Sequence, residues 1–252
     1  MRVAIISNSH VNMLKLAAME QPPSWTPVFF GAPADKMNDL ERRPDGKGLY
    51  SRNAALTEWL SFASGGLETI DYDDYDAFVL VGMQFRSHRA LQLFGKFQPL
   101  SKRLDPKTRL ISEAAFRTYL RGRLTLSSAY HVMKLISERS DVPVVVVPAP
   151  LPGNAIAARA GYRWMKNEAA APVTHWINDI VFEECRMLAD SFGYKTLIQP
   201  ASTIGADGLT KPEYGVGARR LKGTDYGTVD FSHMNAAFGG IMLNEIGQVL
   251  QA

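Results

Sequence analysis

The sequence predicts a mostly parallel, three-layer α/β protein, and three observations carry that expectation. Short aliphatic and β-branched runs recur along the chain, stretches of helical character separate them, and the composition is that of a chain able to build a core. Strands that alternate with helices need crossover connections, which lay helices on both faces of a parallel sheet. Hydrophobic residues make up 46% of the 252 residues and charged residues 21%, a globular rather than a disordered balance. At this length one large domain over residues 1–252 suffices, and it should fold without help from a metal or a disulfide.

Taken in order, Val3–Ile6 is an apolar strand and Val11–Met19 the helix after it, so Asn8, Ser9 and His10 fall in the turn between them. Pro27–Phe30 is a second strand, ended by Gly31. The charges and glycines of Asp35–Ser51 predict an exposed loop able to approach a ligand. Asp76–Val81 is a third strand, terminated by Gly82 at a loop. Arg89–Phe97 reads as helix, Asp105–Lys107 as linker, Arg109–Ile111 as a fourth strand and Ser127–Glu138 as helix. Val142–Val147 is the strongest strand signal, because β-branched residues favour a buried extended chain even with Pro143 inside the run. Pro148, Pro150 and Pro152 stiffen the connection to Asn154, Thr174–Phe192 is a helix, and Lys195–Ile198 is a final strand.

The formal charge is only +3, from 28 basic and 25 acidic residues scattered along the chain, so no nucleic-acid partner is indicated. The single cysteine, Cys185, cannot form an internal disulfide and reads as a buried thiol in a helix. The first residues do not resemble a signal peptide and no apolar run is long enough for a stable membrane anchor, which makes the cytoplasm the expected location. His88, His131 and His175 lack metal-ligand spacing with nearby acids, and no cofactor is expected.

Chemistry enters at Ile5-Ile6-Ser7-Asn8-Ser9-His10. A serine at the end of a first strand is placed either to cap the following helix or to be exposed by a tight turn as a nucleophile, and Asn8 can hold that turn through its amide. At the other end of the chain stands Asp230-Phe231-Ser232-His233. On a tight loop, this spacing sets the carboxylate beside the imidazole and leaves the second ring nitrogen to face Ser9. The expected roles are Ser9 as nucleophile, His233 as general base and then general acid, and Asp230 as the orienting group.

In these segments, and in Gly31 and Val81-Gly82-Met83-Gln84, the chain resembles the SGNH or GDSL-like serine esterases and related acyl-transfer enzymes. The ordered likeness runs across nearly the whole chain. It implies a flavodoxin-like α/β/α fold, a nucleophilic serine near the start and an Asp-x-x-His pair near the end. It also implies that Gly31 and Gln84 supply oxyanion donors, a role for which the longer amide of Gln84 replaces the asparagine of many relatives. Asn8 stands where many members have aspartate, which points to a divergent subgroup.

The implied reaction is serine-dependent hydrolysis of an O-acyl ester through an acyl-enzyme, with small-molecule and glycan esters as the substrate classes. Transfer of the acyl group to a carbohydrate hydroxyl and a non-catalytic module that binds a polar ligand are the alternatives. Asn8, His10, Arg86 and Arg117 are candidate substrate-binding residues, the arginines for phosphate or carboxylate. Arg159 and Arg163 form a candidate helix face, and Trp164 and Trp176 read as packing groups.

Overall fold

The computed structural model describes residues 1–138, 141–221, 223–226 and 230–251. Its regular elements in chain order are β1 (Arg2–Ser7), α1 (Val11–Glu20), β2 (Thr26–Gly31), β3 (Glu41–Arg42), β4 (Gly48–Tyr50), α2 (Ala54–Ser64), β5 (Ile70–Asp71) and β6 (Ala77–Val81). There follow α3 (His88–Phe94), β7 (Phe97–Gln98), β8 (Arg109–Leu110), α4 (Glu113–Thr125), α5 (Ser128–Ser137), β9 (Val144–Val147), α6 (Ala170–Asp190), β10 (Lys195–Thr196) and α7 (Ala236–Gln251).

Five strands form the central sheet in the order β10-β9-β6-β1-β2, and every neighbouring pair is parallel. Relabelled by their order along the chain, these strands run 2-1-3-4-5, the flavodoxin-like doubly wound arrangement. β1 pairs with β2 on one side and β6 on the other, so the direction of winding reverses beside it, and its carboxyl end, at Ser7, is the switch point outside which folds of this kind place their ligands.

Side chains alternate between the faces of these strands and build two cores. Ala4, Ile6, Phe30, Phe78, Leu80, Val144 and Val146 pack with residues from α2 through α6. Val3, Ile5, Phe29, Val79, Val81, Val145 and Val147 pack with α1 and α7. Both faces are thereby covered, which explains why the strands read as continuous apolar runs rather than alternating ones.

Helices α1 and α7 meet closely at Gly239. A Cβ there would stand 2.1 Å from the Met13 carbonyl oxygen, a main-chain atom that cannot swing aside. Gly239→Ala is therefore expected to lower stability by about 1–3 kcal/mol through overpacking, outweighing the better helix propensity of alanine. A urea midpoint that is unchanged or raised would contradict this close approach.

Several boundaries differ from expectation for physical reasons. Asp35–Ser51 is not one open loop: it carries a 3₁₀ turn at Lys36–Asp39 and then β3 and β4, which join β5 in a small antiparallel sheet. Arg109–Leu110 is no member of the central sheet but pairs with Phe97–Gln98, and both of its residues are exposed. The fourth central strand is Val144–Val147. It starts after Pro143, which lacks an N–H and contributes only its carbonyl, to Phe78 N–H at 2.9 Å. The helix expected over Arg89–Phe97 stops at Phe94. Helices α2, α4 and α7 were not anticipated. No helix among the described residues is long and apolar enough to cross a membrane.

Candidate active site

The end of β1 is where the N-terminal and C-terminal parts of the chain meet, Ser9 against His233. Beyond Ser7 the main chain turns tightly into α1, with Val11 N–H donating to the Asn8 carbonyl at 3.1 Å. The Asn8 side-chain oxygen accepts from His10 N–H at 3.3 Å, so the amide holds the turn that presents Ser9. Gly31 lies level with Ser7 across the β1–β2 pairing, and a Cβ on it would come within 2.5 Å of Val11 Cγ1.

The Asp230–His233 segment is built around its own carboxylate. Asp230 Oδ1 accepts from the N–H groups of Ser232 at 2.7 Å and His233 at 2.8 Å, while Oδ2 meets His233 Nδ1 at 2.9 Å. The opposite ring nitrogen, Nε2, lies 2.8 Å from Ser9 Oγ. Asn235 secures the segment to α7, because its Oδ1 accepts from Phe238 N–H in an N-cap bond and its amide donates to the carbonyls of Glu213 and Val216. The geometry thus brings Ser9, His233 and Asp230 into one line of hydrogen bonds, with the His233 and Asp230 side chains only 17% and 19% exposed.

Burial opposes ionisation of Asp230. The hydrogen bond and charge of His233, with the two main-chain N–H groups, outweigh it and hold the carboxyl below its ordinary value.

The loop after β6 contributes a second unusual backbone. Gly82, Met83 and Gln84 all have positive φ, at 70°, 45° and 73°. For the two side-chain-bearing residues this is a sparsely populated conformation, costing about 1–3 kcal/mol each, of the kind that clusters at functional sites. Neighbours hold it in place: Phe85 N–H donates to the Gly82 carbonyl, Ala129 N–H to that of Met83 and Ala149 N–H to that of Phe85. Gly82 is required twice over, by its φ and because a Cβ would stand 2.7 Å from His10 Cδ2 and 3.1 Å from Asn8 Oδ1. Gln84 itself is half-buried.

His10 is buried between this loop and the line of hydrogen bonds, its ring centroid 5.3 Å from that of His233. Burial, then the charges of His233 and Arg86, push its pKa down to about 3. His88 is likewise pushed down to about 3, by burial and then by Arg86 and Arg89. Both groups therefore resist protonation when folded, whereas the unfolded chain binds their protons near pH 6.5. Between about pH 3 and 6.5 the unfolded state holds more protons, so stability rises with pH through that window and is lost on acidification. A lower denaturation midpoint is expected at pH 4 than at pH 7, with the slope reduced in His10→Gln. A flat profile would contradict these shifts.

The remaining predicted residues separate cleanly. Arg86 follows the strained loop, near His10. Arg117 instead sits on α4 and pairs with Glu183 on α6 at 2.7 Å and with the fully buried Glu184 at 3.7 Å, so it serves helix packing rather than the site. Arg159 and Arg163 do not share a regular helix face, since short 3₁₀ turns at Asn154–Ala158 and Ala160–Lys166 replace one. Trp164 packs on Phe94 and Trp176 on Phe116. Cys185 is buried in α6, where burial and then Glu184 push its thiol pKa up, away from reactivity.

Tyr226 was not anticipated. Its ring stacks on His233 at 3.7 Å with an 8° interplanar angle, and Arg220 lies over the tyrosine at 4.9 Å. Burial raises its hydroxyl pKa, while an interaction with the Ser9 side chain pulls the other way. The segment that carries it is tied to α1 by the Asn12 amide, which donates to the carbonyls of Arg219 and Arg220. No local signal in the sequence marks this tyrosine, because its partners come from both ends of the chain.

No protein-family model matches the chain, and a search of curated proteins finds no match. Solved structures similar to it include a Streptococcus pneumoniae protein at 13% identity and TM-score 0.47, covering 98% of this chain and 83% of that one. The periplasmic domain of a lipopolysaccharide acetyltransferase from Salmonella ser. Paratyphi A is 10% identical at TM-score 0.44, covering 100% and 84%. An extracellular lipase from Streptomyces rimosus is 11% identical at TM-score 0.44, covering 97% and 99%.

Proposed function

We propose that the protein is a serine-dependent acyl-transfer enzyme of SGNH type that hydrolyses an O-acyl ester through an acyl-enzyme intermediate. The observation that carries this reading is the continuous line Ser9 Oγ to His233 Nε2 at 2.8 Å and His233 Nδ1 to Asp230 Oδ2 at 2.9 Å. A serine that merely capped α1 would have no need of a carboxylate-oriented imidazole on its hydroxyl.

Attack on the ester carbonyl forms the Ser9 Oγ–carbon bond as His233 Nε2 takes the hydroxyl proton. Asp230 keeps the Nδ1 proton where it is and stabilises the imidazolium. The carbonyl oxygen gains negative charge, which the Gln84 amide and main-chain N–H groups near Ser9 and Gly31 meet as donors. Collapse breaks the bond to the alcohol, which leaves with the proton that His233 returns. Water then repeats the sequence on the acyl-serine and restores the enzyme. A sugar hydroxyl in place of that water would make the same machinery a carbohydrate O-acyltransferase, and product analysis with and without an alcohol acceptor separates the two.

A fluorophosphonate serine probe tests the assignment. Folded protein should label on the peptide that contains Ser9, and Ser9→Ala should not label. Failure of folded wild-type protein to label at Ser9 with several small electrophiles would reject it.

A further inference from the structure

Beside the Ser9–His233 pair lies a group of arginines that the acyl-transfer steps do not use. Arg86 comes from the loop after β6, Arg89 from α3 and Arg123 from the last turn of α4. Arg86 is partly buried, and its Nε is fully buried with no hydrogen-bond partner among the described residues. Among the described residues none of the three forms an ion pair, although Arg117 and Arg121, on the same helix as Arg123, both pair with glutamates of α6. Arg89 Nη1 donates to Gln92 Oε1 at 3.2 Å.

Hydrogen bonds hold the end of α4 that carries Arg123 near the loop that carries Arg86: Ser127 N–H donates to the Leu124 carbonyl and Ala129 N–H to that of Met83. After burial, Arg89 and then Arg123 depress the Arg86 pKa, with Tyr162 opposing them. His88 and Tyr162 also feel Arg86 and Arg89. The group borders the proposed catalytic residues at two points. The loop that carries Arg86 packs at Gly82 on His10, where a Cβ would stand 2.7 Å from His10 Cδ2, and the His10 ring lies 5.3 Å from that of His233. Through Tyr162, whose ring centroid is 6.3 Å from that of Phe231, the group reaches the middle of the Asp230–His233 segment, where Arg159 also lies over the Phe231 ring at 5.8 Å.

Like charges held together without a carboxylate cost free energy that a bound anion would recover, and a buried guanidinium edge demands an acceptor. Planar, forked donors match the oxygens of a carboxylate or a phosphate. We propose that Arg86, Arg89 and Arg123 form an anion-binding subsite that holds a carboxylate or phosphate group carried by the acyl ester. The proposal rests on Ser9 being the nucleophile, and it narrows the substrate class from any O-acyl ester to one with an acidic group close to the scissile bond.

The test uses amides as slowly cleaved counterparts of esters: neutral acetanilide, 4-acetamidobenzoate and 4-acetamidophenyl phosphate, titrated into the full-length chain by calorimetry. The anionic compounds should bind at least about tenfold tighter than acetanilide, a gap of about 1.4 kcal/mol, and the advantage should shrink as salt is raised. Whichever anion gains more identifies the group. In Arg86→Gln the advantage should fall to within about twofold, with Arg86→Lys intermediate, since a point charge replaces the fork. Arg89→Gln combined with Arg123→Gln alters only exposed side chains and should reproduce the loss in a folded protein. Equal affinity for neutral and anionic amides in the wild type, or an advantage that survives these substitutions, would overturn the subsite. Fluorophosphonate labelling run in parallel keeps the two readings apart: labelling at Ser9 without an anion advantage refutes the subsite alone, and an anion advantage without labelling refutes the nucleophile alone.

Discussion

Ser9→Ala is expected to remove ester turnover almost completely while the α/β core stays folded. Ser9 Oγ is the protein atom that bonds to the acyl carbon in the proposed sequence, and it lies on His233 Nε2 at 2.8 Å. The loss should be on the order of 10⁶-fold in kcat, the scale found when a triad serine is removed from subtilisin. His233→Ala should cost a similar factor. Because the groups act as a unit, the double variant should be little worse than either single one. The change at Ser9 is a single partly exposed oxygen, so circular dichroism and the urea midpoint should move little. Additive losses in the double variant would break the account of a coupled pair.

Asp230→Asn should lower kcat by roughly 10⁴-fold with little change in shape. The Asn carbonyl can still accept the N–H groups of Ser232 and His233, as Asp230 Oδ1 does at 2.7 and 2.8 Å. Its NH₂ then faces His233 Nδ1, which must accept rather than donate. The ring proton moves to Nε2, the atom that has to take the Ser9 proton, and the base is blocked. Measuring kcat and KM together discriminates this from a general loss of structure: kcat should fall steeply and KM should change little. A KM-dominated loss would assign Asp230 to substrate binding instead.

How much of this was legible in the sequence depended on whether the signal was local. The four-residue Asp230–His233 segment carries its own geometry, since one carboxylate organises both main-chain N–H groups and the ring. The place of Ser9 after an apolar strand left a helix cap and a nucleophile both open, and only its order with Asp230 and His233, as in the SGNH-like enzymes the chain resembles, favoured the nucleophile. The fold class followed from Val3–Ile6, Asp76–Val81 and Val142–Val147, whose unbroken apolar character comes from burial on both faces. By contrast, Arg109–Ile111 imitated a strand over a few residues yet pairs in a minor two-stranded sheet, because pairing is decided by distant partners. Helix α7 was hidden by Gly239, Gly240 and Gly247, residues of poor helix propensity, two of which are nonetheless required by close packing on α1 and Trp25. Arg86 and Arg117 looked alike in sequence, and only the fold gives Arg117 its glutamates and, among the described residues, leaves Arg86 Nε without an acceptor. Tyr226 was invisible for the same reason.

The most direct test of the central claim is to capture the acyl-enzyme itself. Wild-type protein mixed with p-nitrophenyl acetate, quenched in acid before steady state and digested for mass spectrometry, should carry one acetyl group on the peptide containing Ser9, formed in step with the first release of nitrophenol. Steady ester turnover with no acyl group on that peptide, undiminished in Ser9→Ala, would contradict it.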